Sequence, residues 1–271
     1  MPLVSVLLAV HNDASHVEAA VESVLRQTLG DFELVVVDDA STDETPALLG
    51  KYEQLVVLRN DEQLGLAASL NRGLDAAQGR YVARLDSDDV ALPHRLELQV
   101  AHIRSDARLA VVGSAVVDVN ERDERGQTHV MPSGATPLRW HALFSSPFFH
   151  PTALVDREAL GDLRYDPEFR ESEDYDLWTR LFTVADGDNL REPLVLKRVH
   201  AGQASQRRGD VQESFRRRVA LREIRRVAPD VDAEAVLQGS RRELLRLLRG
   251  FERRHGVNWP VRLTALRALV R

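Results

Sequence analysis

The feature that most constrains the fold is the alternation of strand-like and helix-like segments in the first hundred residues. The strand-like runs are almost wholly apolar and cover residues 4–10, 32–39, 55–60 and 80–86. Apolar residues at helical spacing follow each run, and they predict helices near residues 15–25, 41–52, 66–78 and 93–103. A βα repeat with strands apolar on both faces predicts an α/β fold, with a mostly parallel central sheet and helices on both sides.

Two Ser-x-x-Glu patterns precede the first two predicted helices. Ser15 is followed by Glu18, and Ser41 is followed by Glu44. In a capping box, the serine hydroxyl and the glutamate carboxylate each accept a hydrogen bond from a free N–H group of the first turn. The patterns therefore predict that the two helices begin at these serines.

The regular alternation of strand and helix patterns ends after residue 105. Residues 109–119 and 151–156 are predicted strands, and residues 137–144 and 174–182 are predicted helices. Beyond residue 206 the sequence is arginine-rich and mostly helical in pattern. Residues 207–271 hold 17 arginines and 8 acidic residues, a net charge of +9, which leaves −15 for residues 1–206. We therefore predict an acidic body with a basic helical extension.

The composition excludes several classes of protein. The chain has no cysteine, which rules out disulfides and thiolate metal sites. An acidic body is unsuited to binding nucleic acid, and it needs a metal ion or local donors to bind an anionic ligand. The N-terminal apolar run is too short for a signal peptide or a membrane span, so we expect a cytoplasmic protein.

Polar and acidic clusters follow three of the predicted strands. They are His-Asn-Asp at residues 11–13, Asp-Asp at 38–39 and Asp-Ser-Asp-Asp at 86–89. Open α/β sheets bind ligands beyond the carboxyl ends of their strands. We therefore expect these three clusters to lie together along one edge of the sheet.

The clusters also allow other interpretations. The Asp-Asp pair at 38–39 also fits a turn followed by a helix cap. A calcium loop that begins at Asp86 would place Glu97 twelfth, but Ala91 stands sixth, where a glycine is needed. Neither a Gly-x-Gly-x-x-Gly motif nor a P-loop follows the first strand. The remaining interpretation is that the aspartates hold Mg²⁺ or Mn²⁺, which in turn holds a diphosphate that arrives with the substrate.

Five separated segments closely resemble the family 2 glycosyltransferases. They are "VSVLLAVHNDASHVEAAVESVLRQTLGDFELVVVDDASTDET", "RNDEQLGLAASLNRGLDAAQGRYVARLDSDDVALPHRL" with its Asp-x-Asp motif, "HPTALVDREAL", "SEDYDLWTRL" and "RVHAGQASQ". The resemblance covers residues 2–206. It implies a nucleotide-diphospho-sugar transferase (Rossmann-like) fold and inverting transfer from an NDP-sugar to a hydroxyl, with UDP favoured as the nucleotide.

The resemblance also implies roles for individual residues on the donor side. Asp39 would hydrogen-bond the nucleobase, and Asp86 would face the ribose or a metal-bound water. Asp88 would ligate Mn²⁺ or Mg²⁺, and His200 would approach the diphosphate or the metal. Further residues implied to line the nucleotide-sugar pocket are Ala9, His11, Asn12 and Asn71.

On the acceptor side, Asp174 matches the catalytic base, and Glu173 is its neighbour. An aspartate there also fits a helix N-cap, which is compatible with catalysis. Chemically, the attacking hydroxyl and the leaving diphosphate lie on opposite sides of the anomeric carbon, which suits two separate acidic clusters. Trp140, Phe149 and His150 are candidates for an acceptor wall, although core packing explains the aromatic residues equally well.

The predicted organisation is a catalytic domain at residues 1–206 and an extension at 207–271. Residues 1–105 would form the nucleotide-sugar half and 106–206 the acceptor half. The basic helices would either cover the domain or contact an anionic membrane surface near a carbohydrate or lipid-linked acceptor. The alternatives to glycosyl transfer are a sugar-1-phosphate nucleotidyltransferase, which needs a Gly-rich basic loop after the first strand, and a catalytically silent nucleotide-sugar-binding module.

Overall fold

The structure is a computed structural model that describes residues 1–199 and 209–270. Its strands are β1 Val4–Val10, β2 Phe32–Asp38, β3 Leu55–Arg59, β4 Tyr81–Arg84, β5 Val90–Ala91, β6 Leu109–Val119, β7 Arg125–His129, β8 Leu154–Asp156 and β9 Asp186–Arg198. Its helices are α1 Val17–Leu25, α2 Thr45–Leu49, α3 Leu66–Ala76, α4 Arg95–Ser105, α5 Ala135–His141, α6 Arg157–Leu160, α7 Glu173–Leu181, α8 Gly209–Val227, α9 Ala233–Leu237, α10 Arg241–His255 and α11 Trp259–Val270.

The strands of the described residues form one nine-stranded sheet in the order β3-β2-β1-β4-β8-β6-β9-β5, with β7 paired to β6. The first four strands in this order are parallel to one another. Strand β1 is buried along its whole length, as its apolar sequence requires. Its alternate residues enter two different cores, one with α1 and α4 and the other with α3 and α7. The predicted α/β fold with helices on both faces is confirmed.

The second half of the sheet is mixed. Strand β8 is antiparallel to both β4 and β6, whereas the 13-residue strand β9 runs parallel to β6. The sequence analysis did not identify β9, because its residues neither alternate nor form an apolar run. The pairing of β9 with β6 brings Arg198 to the end of β4, beside Asp88 and Asp89.

Helices α8 to α11 form the C-terminal extension that the sequence predicts. They share a hydrophobic core with α5, in which the rings of Trp140 and Phe251 lie 5.1 Å apart, edge to face. Arg222 of α8 donates hydrogen bonds to Asp176 and Thr179 of α7. The extension is therefore attached to the helix that begins with Glu173. None of the helices in the described residues is long and apolar enough to cross a bilayer.

Neither predicted capping box forms. Helix α1 begins at Val17, and the Asp13 carbonyl accepts hydrogen bonds from the N–H groups of His16 and Val17. Helix α2 begins at Thr45 and has no side-chain cap. The Ser41 hydroxyl accepts a hydrogen bond from the Asn12 N–H instead, because the loop after β1 packs against the loop after β2.

Candidate active site

The loops that follow β1 and β2 are joined by hydrogen bonds from two consecutive residues, His11 and Asn12. The His11 ring nitrogen Nδ1 lies 2.7 Å from the Asp39 carbonyl oxygen. The Asn12 side-chain oxygen accepts a hydrogen bond from the Thr42 N–H at 2.8 Å. Asn12 also has a positive φ of 52°, which asparagine tolerates better than most residues. The predicted convergence of these two strand ends is confirmed, and it fixes the positions of both side chains.

Asp39 is buried, and both of its carboxylate oxygens accept hydrogen bonds. Oδ1 accepts from the Asn60 amide and the Leu64 N–H, and Oδ2 accepts from the Gly65 N–H, all at 2.7–2.8 Å. Burial alone would raise the pKa of Asp39, but these hydrogen bonds outweigh it and lower the pKa below its usual value. Asp39 is therefore an ionised acceptor held in a fixed orientation.

The end of β4 is tied to the end of β1. The Ser87 hydroxyl donates a hydrogen bond to Asp13 Oδ2 at 2.7 Å, and Asp13 Oδ1 lies 2.6 Å from Nδ1 of His16. All three polar clusters thus meet at one edge of the sheet, as the sequence predicts.

An acidic triad follows β4. Asp86, Asp88 and Asp89 each offer a carboxylate oxygen, and these atoms lie within 4.8 Å of one another. Burial and the charges of Asp86 and Asp88 raise the pKa of Asp89 well above its usual value. Its Oδ1 accepts a hydrogen bond from the Arg198 N–H, but its buried Oδ2 has no hydrogen-bond partner among residues 1–199 and 209–270.

These features fit a divalent cation. Oxygen ligands are those that Mg²⁺ and Mn²⁺ prefer, and a cation would offset the repulsion that the triad now carries. The other predicted metal contact, His200, lies outside the described residues.

Arg84 is a positive partner that the sequence analysis missed. It is 3% exposed, and its guanidinium donates hydrogen bonds to the Asp86 carboxylate and the Leu85 carbonyl. Burial is the largest single effect and raises the pKa of Asp86, but the charge and hydrogen bond of Arg84, together with the smaller effects of His150 and Lys197, outweigh it and lower the pKa. The counter-charge of the acidic cluster is thus partly internal. The sequence did contain a signal for this ion pair. Arg84 is a basic residue within a buried strand, and it stands two positions before the first acid of the cluster.

The second pair of acids begins α7. Glu173 is 7% exposed, and Asp174 Oδ2 accepts a hydrogen bond from the Ser146 hydroxyl at 2.9 Å. Burial, followed by the charge of Asp174, raises the pKa of Glu173 to about 7. Burial also raises the pKa of Asp174, against the effect of the Ser146 hydrogen bond.

The two acidic groups lie close enough to act on each other. The charge of Asp86 contributes to the raised pKa of Asp174. His150 and Tyr165 lie beside the same charges, with His150 Nε2 3.0 Å from the Tyr165 hydroxyl oxygen. Burial and the Arg84 cation lower the pKa of His150 to about 3, so its ring is neutral. The site therefore has acids on two sides and a neutral, rigid pair of rings beside them.

Two residues assigned to the nucleotide-sugar pocket contact other parts of the fold. The Asn71 amide binds the backbone of Tyr165 through a donated and an accepted hydrogen bond, both 2.8 Å long. Ala9 is almost fully buried and packs in the core that contains Val37. Asn71 thus holds Tyr165 beside the acids.

Two aromatic residues assigned to an acceptor wall pack against cores. Trp140 is 4% exposed and lies against Phe251 and Phe144, in the core shared with the C-terminal helices. It therefore faces the core and not an open acceptor surface. Phe149 is partly buried against the core beneath β1, and only the adjacent His150 reaches the acidic site.

A large cavity in the described residues lies elsewhere. It measures about 700 Å³ and is lined near the opposite ends of β1 and β4 by residues that include Leu3, Arg80 and Arg157. Arg80 is paired with Asp156 and Glu158, and Arg157 donates to backbone carbonyls. The acids with shifted pKa values lie at the polar edge of the sheet and not in this cavity, which favours the polar edge as the functional site.

Comparison with solved structures shows the fold. S. aureus TarS 1-349, in complex with UDP-GlcNAc, matches with a TM-score of 0.67 and 22% identity, over 82% of this chain and 66% of that chain. The mannosyltransferase PcManGT from Pyrobaculum calidifontis, in complex with GDP-Man and Mn²⁺, matches with a TM-score of 0.60 and 19% identity, over 99% of this chain and 80% of that chain.

Comparison of sequences shows the family. The O-antigen biosynthesis glycosyltransferase WbnJ of Escherichia coli is 31% identical over 207 residues, which cover 74% of this chain and 81% of the relative. The family model for glycosyl transferase family 2 matches residues 5–164, and these include the three strand-end clusters. The chain therefore belongs to glycosyl transferase family 2 and is a glycosyltransferase.

Proposed function

We propose that the protein is an inverting, divalent-metal-dependent glycosyltransferase that takes its sugar from an NDP-sugar, with UDP as the favoured nucleotide. The acceptor is a hydroxyl of a carbohydrate or a lipid-linked glycan, in the synthesis of a cell-surface polysaccharide or glycolipid in the cytoplasm. The observation that supports this most strongly is the acidic triad of Asp86, Asp88 and Asp89 at the sheet edge, in a chain of glycosyl transferase family 2 that holds a second pair of acids at the start of α7.

The donor side of the proposal uses residues 1–105. Asp39 accepts a hydrogen bond from the nucleobase, since its carboxylate is ionised and fixed. His11 and Asn12 shape the rim of that pocket, and Asp86 faces the ribose.

Asp88 would hold the cation, with Asp89 beside it and His200 completing the site. Bound there, the cation supplies Lewis-acid stabilisation of the charge that develops on the leaving diphosphate.

The acceptor side uses residues 106–206. Asp174 takes the proton of the attacking hydroxyl, and its raised pKa makes it a stronger base than an exposed aspartate. The Ser146 hydroxyl helps to orient this carboxylate towards the acceptor. Glu173 binds the acceptor beside it in its protonated form, and His150 lines the wall. A base on the side opposite the diphosphate gives inversion at the anomeric carbon.

The donor is tested by thermal unfolding with a panel of nucleotides and NDP-sugars, with and without Mn²⁺. A ligand at a hundred times its Kd adds about 2.7 kcal/mol to the free energy of unfolding. We expect the largest shift with a UDP-sugar and Mn²⁺. A shift that is the same without the metal would contradict the metal-dependent mechanism.

The division of roles is tested with two substitutions. We expect Asp88→Ala and Asp174→Asn each to abolish transfer, and only Asp88→Ala to lose metal-dependent NDP binding. Equal metal-dependent NDP affinity in both variants would refute the assignment. Slow hydrolysis of the donor by the wild type, lost in Asp174→Asn, would exclude a catalytically silent binding module.

A further inference from the structure

Helix α11 has two apolar faces. One face, with Val261 and Ala265, is buried in the C-terminal core. The other carries Trp259, Leu263 and Leu266, which are 67%, 51% and 47% exposed. Residues three, four and seven positions apart lie on one side of a helix. These three side chains therefore form a continuous apolar stripe directed away from the core.

The stripe is bordered by cations. Arg262 and Arg267 fall on its two flanks at helical spacing, and the Arg262 guanidinium lies 5.4 Å from the centre of the Trp259 ring. Arg262 also pairs with Glu252 of α10. This ion pair holds the tryptophan beside the neighbouring helix.

Helix α10 adds further positive charge. Arg249 and Arg253, one turn apart, are exposed and make no ion pair within the described residues, and the same holds for Arg254. Residues 241–270 contain eight arginines and two acids, a net charge of +6, and both acids are already paired with arginines. Helices α10 and α11, which the Arg262–Glu252 ion pair joins, thus carry unpaired cations together with an exposed tryptophan and two exposed leucines.

We propose that this face of α10 and α11 docks on an anionic lipid membrane. Tryptophan suits the interfacial layer, where its ring is apolar and its N–H group reaches water. Arginines that border an apolar stripe bind acidic headgroups while the stripe enters the acyl boundary. A protein partner would need an acidic, apolar counterpart, whereas one anionic bilayer satisfies both features. A catalytic domain docked in this way lies beside lipid-linked acceptors in the membrane. This access to the acceptor rests on the proposed function.

The chain contains its own probe for this interaction. It has three tryptophans, and Trp140 and Trp178 are buried, so a change in emission reports on Trp259. We expect vesicles of equimolar phosphatidylglycerol and phosphatidylcholine to shift the emission of the full chain to the blue and to protect it from acrylamide. Vesicles of phosphatidylcholine alone, or high salt, should abolish most of this change. Trp259→Phe should remove the change in emission and retain co-sedimentation with the vesicles.

Substitutions separate the apolar stripe from the arginines. Leu263→Glu should weaken vesicle binding about tenfold or more, because a leucine leaves the bilayer and a negative charge is added. The matched control is Val130→Glu, which changes an equally exposed (51%) apolar residue after β7 and should bind like the wild type. Arg249→Gln and Arg253→Gln should each weaken binding about fivefold.

Three results would overturn the proposal. The first is no binding to the anionic vesicles, and the second is equal binding by Leu263→Glu and Val130→Glu. The third is protection of Trp259 from acrylamide without lipid that increases with protein concentration, because a second copy of the chain would then cover the stripe. None of these measurements needs an active enzyme, so a failure of the proposed glycosyl transfer leaves this result unaffected.

Discussion

The Glu173 carboxyl group is expected to make the folded protein less stable as the pH rises from 5 to 8. Its side chain is buried, and burial followed by the charge of Asp174 raises its pKa from 4.5 to about 7. A buried carboxyl group of this kind favours its neutral form, because ionisation in the interior costs hydration and meets the charge of Asp174, and the backbone hydrogen bond that it accepts does not offset these two effects.

The sign and size of the effect follow from proton linkage. Between pH 4.5 and 7 the folded state holds a proton that the unfolded state has released, so the free energy of unfolding falls as the pH rises. Each pKa unit corresponds to 1.36 kcal/mol, and the shift from 4.5 to about 7 therefore gives a loss of about 3 kcal/mol. The loss is complete once the pH exceeds the folded pKa.

Glu173→Gln tests this by removing the titration and keeping the shape of the side chain. We expect the variant and the wild type to unfold at similar temperatures at pH 5. At pH 8 the variant should unfold about 6 °C higher, since 1 kcal/mol shifts the midpoint of a chain of this size by about 2 °C. The measurement is thermal unfolding followed by circular dichroism from pH 5 to 8.

The matched control is Glu168→Gln on the preceding segment, where the glutamate side chain is 75% exposed. Its difference from the wild type should stay constant with pH. If the difference between Glu173→Gln and the wild type is also constant from pH 5 to 8, Glu173 does not titrate in the neutral range and the reasoning fails.

Two further substitutions test the packing that positions the site. Gly79→Ala should cost about 3 kcal/mol in urea unfolding, because its Cβ would collide with the β1 backbone at Ser5, whereas Gly30→Ala, with open space around it, should cost nothing. Arg222→Gln should cost about 1 to 2 kcal/mol, because it removes hydrogen bonds to the buried Asp176 and to Thr179, whereas the exposed Arg225→Gln on the same helix should be neutral. If the test substitution and its control lowered the free energy of unfolding equally in either pair, the contacts assigned to that pair would be contradicted.

The parallel half of the sheet could be predicted because its strands are buried on both faces. A strand in that position must be apolar throughout, and the run at residues 4–10 has that property along its full length. Strand β9 could not be predicted in this way. It contains charged residues and Pro193, and its pairing with β6, which shifts register three times, determines its conformation.

The capping boxes show a limit of local patterns. Ser41 stands three residues before Glu44, yet its hydroxyl binds Asn12, which is 29 positions earlier in the chain. A serine can satisfy an N–H group of its own helix or of another loop, and the tertiary structure decides between them. The convergence of strand ends that the sequence predicted correctly is the reason why this local prediction was wrong.

The acidic residues of the site lie at the sheet edge that the sequence predicts. Residue type alone, however, could not predict how their pKa values differ. The pKa of Asp86 is lowered, whereas those of Asp89 and Asp174 are raised. The differences come from burial and from partners brought in by the fold, and the partner of Asp174 is Ser146, 28 positions away. For Asp86 it is Arg84, whose buried guanidinium has an acid within reach only because β4 ends there. A sequence motif can therefore locate a group of carboxylates at a sheet edge. The different directions in which their pKa values are shifted depend on the surrounding structure.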